Sequence, residues 1–429
     1  MFIRIVERGF VYALLVILMG TPAALFYADV DADAYLGAMG TLHTPIVAMQ
    51  GAIVCIGFLL ILMRWRRVAA AALKSWPLLL LTAVAVLSVT WSIDPLLSLR
   101  RSIMQIAAFL IGVYLGERYK LAELSRIVAE VYCLTMCLTF VLFVVSPHIV
   151  LQSDSHGAWR GLTQNKNMFG LNMAFTAFLL ILLRLKRHDW IRYPFLAMAL
   201  LAMLLSHSMA SILTGVSIIV TLPFWRVVRF PARLRFASTI AIATLSGIVA
   251  ACIALNLRFV LGLTGKTLTL TGRTQLWEQI LLAISHHPIL GYGYASFWTG
   301  LRGESLNVVA ACGWMVPAAH NGYLETWLGL GIPGTAATTL VFLIAFWRGV
   351  QFIRSEPGMI AFLPVAYYCF VLLHNCGESD LICQGLSPTT CLFTAFYTAV
   401  ALRTTRHSGR AAFDIRNRKW EQTDALAAP

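Results

Sequence analysis

The residues best suited to chemistry lie in one hexapeptide, His320-Asn321-Gly322-Tyr323-Leu324-Glu325. Asn321 precedes an apolar run and has the short polar side chain that caps a helix, so His320 is expected beside the positive end of a helix dipole. That position favours a neutral imidazole, which can hydrogen-bond an incoming hydroxyl group or accept its proton. Glu325 follows one turn after Asn321 on the same face. The segment indicates hydroxyl chemistry, although a histidine and a helix cap at a membrane surface would have the same sequence.

Basic residues in two other segments could supply fixed positive charge. Arg273 lies between Gly272 and a stretch with helical periodicity, and an arginine of this kind can clamp phosphate oxygens and stabilise charge on a leaving group. Arg160 and Lys166 offer similar charge from an earlier segment, in which Asn165 adds a polar amide. A solvated anchor beside a membrane is the alternative role for each of these cations.

The elements that must position these residues are apolar helices. Of the 429 residues, 59% are hydrophobic and 12% are charged, whereas soluble domains carry about 25% charged residues. A helix needs about 20 apolar residues to cross the hydrocarbon layer, and runs of this length predict an all-α polytopic membrane protein with about twelve spans. These spans lie near 9–28, 44–63, 75–91, 102–117, 127–146, 167–183, 193–208, 210–225, 236–256, 321–347, 358–373 and 387–402. A cleaved signal peptide is an alternative for the first run.

The distribution of Lys and Arg gives the orientation, because these residues collect in cytoplasmic loops. With both termini in the cytoplasm of a bacterial inner membrane, all but eight of the 33 Lys and Arg residues face the cytoplasm. The eight in outward loops are Arg100, Arg101, Arg160, Lys166, Arg258, Lys266, Arg273 and Arg302. The net charge of +14 is spread over segments that flank apolar spans, which favours contact with membrane lipids rather than with nucleic acid.

Four regions follow from this topology. Residues 1–256 contain transmembrane helices 1 to 9, 257–320 form a periplasmic loop, 321–403 contain helices 10 to 12, and 404–429 form a basic cytoplasmic tail. The loop is too long to be a simple connector, so function is expected there. Within it, residues 274–285 carry an apolar stripe at helical spacing that suits a helix on the membrane surface.

Acidic and cysteine residues in outward loops have weaker patterns. Asp29, Asp31 and Asp33 form an oxygen-rich cluster of the kind that binds hard cations, but nothing beside them completes a site, so no metal is expected. Cys376 and Cys383 share another loop and leave one disulfide possible.

The same loop contains polar side chains that could touch a ligand. His374 and Asn375, followed by Glu378 and Ser379, face outward near the membrane and could contact a glycan. A short acidic loop on the outer surface is the simpler interpretation of Glu378 and Asp380.

Several motifs together form a wider pattern. They are His287-Pro288-Ile289-Leu290-Gly291-Tyr292-Gly293-Tyr294, the hexapeptide that begins at His320, Gly329-Leu330-Gly331-Ile332-Pro333-Gly334, Arg160-Gly161 with Asn165 to Asn167, and Gly272-Arg273 before Trp277. This pattern resembles the O-antigen ligase and Wzy-type polymerase family over roughly residues 90–400 and is most specific in 270–335.

The resemblance implies a GT-C-like glycosyltransferase that works at the periplasmic face. Its donor would be an undecaprenyl-diphosphate-linked oligosaccharide and its acceptor another glycan, with no metal or other cofactor. By position, His320 would activate or orient the acceptor hydroxyl, Arg273 would contact the donor diphosphate, and Arg160 would contact diphosphate or sugar. Lys166, Asn165, Asn321 and Glu325 are also expected at the substrate, and other polysaccharide export components are possible partners.

One departure from the family pattern bears on the reaction. Family members often have a basic residue after a Ser-x-Ser motif, whereas Ser206-His207-Ser208 is followed here by Met209. His207 or Lys166 could replace the missing phosphate contact. The departure favours polymerisation of repeat units, with inversion, in exopolysaccharide biosynthesis over ligation of a glycan to lipid A core. A transporter of polysaccharide or lipid-linked oligosaccharide is the rival class, but spans nearly free of charge argue against it.

Overall fold

The computed structural model describes residues 2–26, 44–152, 157–183, 189–231, 234, 273–381 and 385–404, and every regular element in this part is a helix. Several sequence features lie outside the described residues. These are the predicted span near 236–256, loop residues 257–272, the tail after 404, Asp29, Asp31, Asp33 and Cys383.

The helices follow the predicted apolar runs closely. They are α1 (Phe2–Leu18), α2 (Thr21–Phe26), α3 (Thr44–Leu62), α4 (Trp65–Lys74), α5 (Trp76–Leu87), α6 (Pro95–Arg118), α7 (Leu121–Val145), α8 (Pro147–Val150), α9 (Lys166–Leu182), α10 (Arg192–Leu205), α11 (Met209–Trp225), α12 (Arg273–His286), α13 (Gly303–Cys312), α14 (Gly322–Ser355), α15 (Leu363–His374) and α16 (388–404). Short 3₁₀ turns occupy Ser88–Trp91, Asp189–Ile191, Arg226–Arg229 and Met359–Phe362.

Four helices in the described part are long and apolar enough to cross a membrane, namely Pro45–Leu62 within α3, α6, α7 and α14. A fifth span results if α4 and the segment Trp76–Trp91, which meet at an angle of 92°, count as one. The remaining members of the predicted set of about twelve are shorter helices or lie outside the described residues, so their number stays a prediction.

The structure corrects the expected cytoplasmic loop at 64–74, because this segment forms α4. Val68, Ala71 and Ala72 are buried at helical spacing, whereas Arg66 and Arg67 are exposed. The basic residues suggested a loop, but they occupy one face of an amphipathic helix. The first predicted span differs too, since α1 and α2 are separated at Gly20, which has a φ of +83°.

Helix α6 begins earlier than the sequence suggested and carries two of the outward basic residues. Asp94 caps it by accepting a hydrogen bond from the backbone nitrogen of Leu97 at 3.0 Å. Arg100 and Arg101, which were expected in a loop, therefore lie in its first turns. The Arg101 guanidinium donates to the carbonyl oxygen of Ala295, which ties residues 273–320, here called the outward loop after their predicted position, to the helix bundle.

The glycine-rich motif in α14 makes room for the outward loop. Gly331 has a φ of +60° and a ψ of −153°, so α14 consists of two helical segments joined by one non-helical residue. The backbone nitrogen of Tyr292 donates to the carbonyl oxygen of Leu328, and that of Ile332 donates to Ile289. A Cβ atom at Gly331 would collide with the carbonyl oxygen of Ile289, which explains the need for glycine there.

The outward loop has a hydrophobic core of its own, distinct from the core of the bundle. Helix α12 supplies Leu276, Ile280 and Ile284, which pack with Tyr292, Phe297, Val308 and Val309. Three residues of the apolar stripe of α12 are thus buried inside the loop, whereas Leu281 is exposed, and contact of α12 with the membrane surface stays a prediction. A compact loop of this kind can hold side chains at fixed positions above the bundle.

Candidate active site

The carboxylate of Glu378, in the turn after α15, joins three segments that are distant in sequence. The Arg273 Nη2 atom donates to Glu378 Oε1 at 3.1 Å, and the Asn167 Nδ2 atom donates to the same oxygen at 2.7 Å. The His320 Nδ1 atom lies 3.4 Å from Glu378 Oε2. The structure thus brings together His320 and Arg273, the two residues predicted to be catalytic, around one carboxylate.

Four helices start at this turn, which makes the local electrostatic potential positive. Arg273 is the first residue of α12, Asn167 lies in the first turn of α9, and His320 precedes α14. The start of α11 is joined to them because Ser211 Oγ donates to the carbonyl oxygen of Asn167 at 3.0 Å. Each helix N-terminus contributes a partial positive charge, so their convergence suits an anionic ligand such as a diphosphate.

The backbone at His320 has a left-handed conformation, with a φ of +47°, which is uncommon for a residue other than glycine. Contacts on both sides hold it there. The Ala319 nitrogen donates to Glu325 Oε2 at 2.7 Å, and the Asn321 nitrogen donates to Ser379 Oγ at 3.2 Å. The imidazole orientation is therefore set by the fold rather than by a flexible loop.

The carboxylate of Glu325 accepts hydrogen bonds from residues on two segments near His320. Its Oε1 atom accepts a hydrogen bond from Trp298 Nε1 at 2.8 Å, and its Oε2 atom accepts from the Ala319 nitrogen. The Oε2 atom thus holds the turn that carries His320, whereas the Oε1 atom fixes the side chain of Trp298. These contacts are those of a positioning residue.

The two asparagines expected at the substrate are helix caps. The Asn321 Oδ1 atom accepts hydrogen bonds from the backbone nitrogens of Tyr323 and Leu324 at 3.0 and 3.2 Å, so the predicted cap is confirmed. The Asn165 Oδ1 atom accepts one from the Met168 nitrogen at 2.9 Å. Both side chains contribute by fixing where α14 and α9 begin.

The other basic residues predicted to contact phosphate are Lys166, Arg160 and His207. Lys166 is adjacent to Asn167, whereas Arg160 lies in the preceding turn, where its Nε atom donates to the carbonyl oxygen of Ile149 at 3.2 Å. Burial lowers the pKa of Arg160 from its ordinary value. His207 is exposed between α10 and α11, with a φ of +51°.

Glu378 and Asn167 are the contacts that sequence reasoning missed. The sequence suggested only that Glu378 could touch a glycan, and Asn167 was part of a motif without a role of its own. The feature of the sequence that could have identified both residues is their position near the predicted outward ends of spans. Sequence spacing alone could not show that one carboxylate would join residues 167, 273 and 320.

Glu378 is held in its anionic form by its neighbours. Burial opposes its ionisation, but the hydrogen bond from His320 and favourable electrostatic interactions with His320, His374 and Arg273 outweigh that effect and lower the pKa of Glu378. Asp380, two residues further, has the opposite behaviour, because burial, with a smaller contribution from Glu378, raises its pKa to about 6. An anionic Glu378 favours the imidazole tautomer with its proton on Nδ1 and leaves Nε2 as the basic nitrogen.

An apolar groove starts one turn beyond His320 along α14. Its upper part has a volume of about 300 Å³ and includes Tyr323, Thr326, Phe342 and Leu372 in its lining. It continues into a space of about 590 Å³ that Trp327 helps to line. The described residues contain no group of three or more His, Cys, Asp or Glu side chains that could hold a metal ion, and independence from metals remains a prediction.

Comparisons with known proteins agree with the motifs in the sequence. The family model Wzy_C, described as O-antigen ligase, matches residues 194–339, which include Arg273 and His320 but not Glu378. The chain is also 25% identical over 315 residues to the exopolysaccharide production protein ExoQ of Rhizobium meliloti (strain 1021), a match that covers 69% of this chain and 70% of that protein. The chain is therefore similar to proteins of the O-antigen ligase and Wzy-type family, and its long apolar helices are those of a membrane-integral protein.

Proposed function

We propose that this protein polymerises undecaprenyl-diphosphate-linked oligosaccharide repeat units in exopolysaccharide biosynthesis, at the periplasmic face of the inner membrane. The observation that carries the proposal is the pair of contacts that Glu378 makes with His320 and Arg273. The imidazole and the guanidinium contact opposite oxygens of one carboxylate, which supports the proposed roles of His320 as a base and Arg273 as a phosphate-binding cation. This arrangement suits a transfer in which a hydroxyl attacks and a diphosphate leaves.

In the proposed reaction an acceptor hydroxyl oxygen bonds to the anomeric carbon of the donor sugar. His320 takes the hydroxyl proton on Nε2, while Glu378 holds the Nδ1 side of the ring and stabilises the imidazolium. The bond between the anomeric carbon and the diphosphate oxygen breaks with inversion. The electron pair of that bond stays on the polyprenyl diphosphate, and no metal ion takes part.

Arg273 and the helix ends would stabilise the leaving diphosphate. Arg273 uses its Nη2 atom for Glu378, and its Nη1 atom lies against Gly377, where a Cβ would be 3.0 Å away. A guanidinium has five N–H donors, so donors remain for phosphate oxygens. Fixed donors aimed at developing negative charge are an effective source of catalysis.

The groove on α14 supports a lipid-anchored donor. It begins at Tyr323, three residues after His320, and runs along a helix long enough to cross the membrane. An isoprenoid chain in this groove would stay in apolar surroundings while its diphosphate reached Arg273. Helices α9 and α11 carry no Asp, Glu, Lys or Arg beyond Lys166, a pattern that fits catalysis at one membrane face better than transport through the bundle.

The choice of polymerase over ligase rests on two observations. The relative that aligns over most of the chain is named for exopolysaccharide production. In addition, Met209 stands where many family members have a basic residue. Ligation to lipid A core uses the same chemistry with a different acceptor, so the acceptor is what the experiment must identify.

The proposal can be tested with purified protein in liposomes that contain a polyprenyl-linked repeat unit. The wild type should produce longer lipid-linked glycans. His320→Ala should lower the rate about 10²- to 10⁴-fold, and Arg273→Ala about 10²- to 10³-fold. His286→Ala and Arg302→Ala are matched controls, because these exposed residues lie in the same loop and should leave the rate unchanged.

Three results would contradict the proposal. His320→Ala and Arg273→Ala could elongate glycan like the wild type, which would remove the assigned site. Glycan could be transferred to lipid A core alone, which would replace the polymerase by a ligase. Lipid-linked oligosaccharide could also cross the membrane without elongation, which would indicate a transporter.

A further inference from the structure

One tryptophan of the outward loop is exposed next to the imidazole of His320. Trp314 follows Gly313, whose φ of +75° ends α13, and 40% of Trp314 is exposed. Its ring centroid lies 6.2 Å from that of His320, and the two ring planes are inclined by 33°. An exposed indole thus stands beside the proposed base.

Two further tryptophans of this loop, Trp277 and Trp298, pack against its hydrophobic core and have structural roles. The Trp277 Nε1 atom donates to the carbonyl oxygen of Ala319 at 3.0 Å, and the Trp298 Nε1 atom donates to Glu325 at 2.8 Å. Trp314 is exposed and does not belong to that core.

We propose that Trp314 is the platform on which the acceptor sugar stacks. The ligand class is a pyranose ring with a continuous face of C–H bonds, which would lie on the indole. C–H groups carry partial positive charge and pack favourably on the negative face of an aromatic ring. This inference rests on the proposed polymerase function and assigns the acceptor subsite within it.

The geometry favours the acceptor over the donor sugar. A pyranose stacked on the indole carries hydroxyl groups on its rim, and the centre of the imidazole is only 6.2 Å from the centre of the indole. One hydroxyl can therefore reach the imidazole, as an attacking nucleophile must. The donor diphosphate is expected at Arg273, which contacts the other oxygen of Glu378.

A membrane anchor is the rival role for Trp314, because tryptophans collect at membrane interfaces. Trp347 offers a matched control, since it is 68% exposed on α14 and lies 27 residues beyond His320. Leucine keeps the hydrophobicity of tryptophan but has no aromatic face. Phenylalanine keeps an aromatic face without the indole nitrogen. The four proteins to compare are thus the wild type, Trp314→Leu, Trp314→Phe and Trp347→Leu.

The experiment measures elongation of a water-soluble acceptor, the repeat-unit oligosaccharide on a short alkyl chain, at a fixed concentration of polyprenyl-linked donor. Trp314→Leu should raise KM for this acceptor about 5- to 10-fold with kcat within about 2-fold, and Trp314→Phe should raise KM less than about 3-fold. Trp347→Leu should match the wild type. An unchanged KM in Trp314→Leu, or an equal rise in Trp347→Leu, would overturn the assignment.

Saturation-transfer NMR separates this inference from the proposed function because it needs no turnover. The probe is the same soluble acceptor, added to His320→Ala protein with and without Trp314→Leu. Ring C–H signals should receive saturation in the first protein and lose it in the second. If this difference is seen while the wild type elongates nothing, the subsite stands and the polymerase function fails. If the wild type elongates glycan but the two NMR spectra agree, the subsite fails and the polymerase function stands.

Discussion

Two carboxylates at opposite ends of the helix bundle, Glu378 and Glu7, each form an ion pair with one arginine, but their other contacts differ. Glu378 belongs to the end where the outward loop contacts the first turns of α6, and Glu7 pairs with Arg118, the last residue of α6. Glu7 accepts two hydrogen bonds from Arg118, at 2.8 and 2.5 Å, and one from the Tyr114 hydroxyl at 3.0 Å. Its side chain is 4% exposed, whereas that of Glu378 is 15% exposed.

The difference between the two carboxylates separates a structural ion pair from the proposed reactive centre. The Arg118 guanidinium makes a bidentate contact with the carboxylate of Glu7, as expected of an ion pair that holds α1 against α6. Glu378 is shared by single contacts from His320, Arg273 and Asn167, which come from three elements. Each of these partners keeps unused donors or a basic nitrogen at a surface that a substrate can reach.

Replacement of Glu378 should have the largest effect and tests whether this carboxylate serves catalysis. Glu378→Gln keeps the size of the side chain but removes the charge that holds the Nδ1 proton of His320. We expect kcat for elongation to fall about 10²- to 10³-fold while KM changes little. Purified variants in liposomes provide the measurement, and the thermal midpoint checks that the variant remains folded.

A structural role alone would give a different result for Glu378→Gln. The thermal midpoint would then fall by several degrees, and kcat at a temperature where the protein stays folded would match the wild type. That outcome would place Glu378 in the same class as Glu7.

The converse change, Glu7→Gln, should affect stability instead. It leaves the partly exposed Arg118 guanidinium without its anionic partner and removes charge-assisted hydrogen bonds, which should cost about 2 kcal/mol. Thermal unfolding in detergent should show a lower midpoint, with kcat unchanged at 20 °C or below. A loss of kcat in folded Glu7→Gln protein would mean that the two ends are coupled and would break the comparison.

The sequence predicted most helices well but not the centre that joins them. Long apolar runs determined α3, α6, α7 and α14, because the bilayer requires them. The cap at Asn321 followed from residue type, but the interruption of α14 at Gly331 and its cause, the carbonyl group of Ile289, became visible only in the structure.

Glu378 shows why the site was only partly predictable. His320 and Arg273 belong to motifs with short internal spacing, so residue types could identify them. Glu378 acts through contacts over 58 and 105 residues of sequence separation, which no local pattern encodes. The amphipathic helix α4 was missed for a different reason, since its three basic residues obscured the buried face formed by Val68 and Ala71.

Asp380 is a third carboxylate to compare with Glu378 and Glu7, because burial rather than an ion pair is the main cause of its pKa shift. That pKa is about 6 in the folded protein and about 4 in an unfolded chain. The stability that follows from the raised pKa is complete below about pH 4 and is lost as the pH rises through about 6.

Asp380→Asn should therefore stabilise the protein by about 2 kcal/mol at pH 8, and this gain should shrink as the pH falls from 6 to 4. Thermal midpoints of both proteins across this range provide the measurement. A gain that is independent of pH would show that the ionisation of Asp380 is not its cause.

Gly377→Ala is the finest test of the difference between the two ends, because it shifts Arg273 without removing it. The added Cβ would lie 3.0 Å from Arg273 Nη1, so the guanidinium must move by a few tenths of an ångström. A flexible side chain can make such a shift at little cost in stability, but the shift matters where an arginine must contact phosphate oxygens. We expect kcat to fall about 10-fold with an unchanged thermal midpoint.

Tyr114→Phe, at the end of the bundle that contains Arg118, is the control. It removes one hydrogen bond to Glu7 and should lower the thermal midpoint while leaving kcat unchanged. If Gly377→Ala elongated glycan at the wild-type rate, the position of Arg273 would not limit catalysis, and its contact with Glu378 would resemble the structural pair of Glu7 and Arg118.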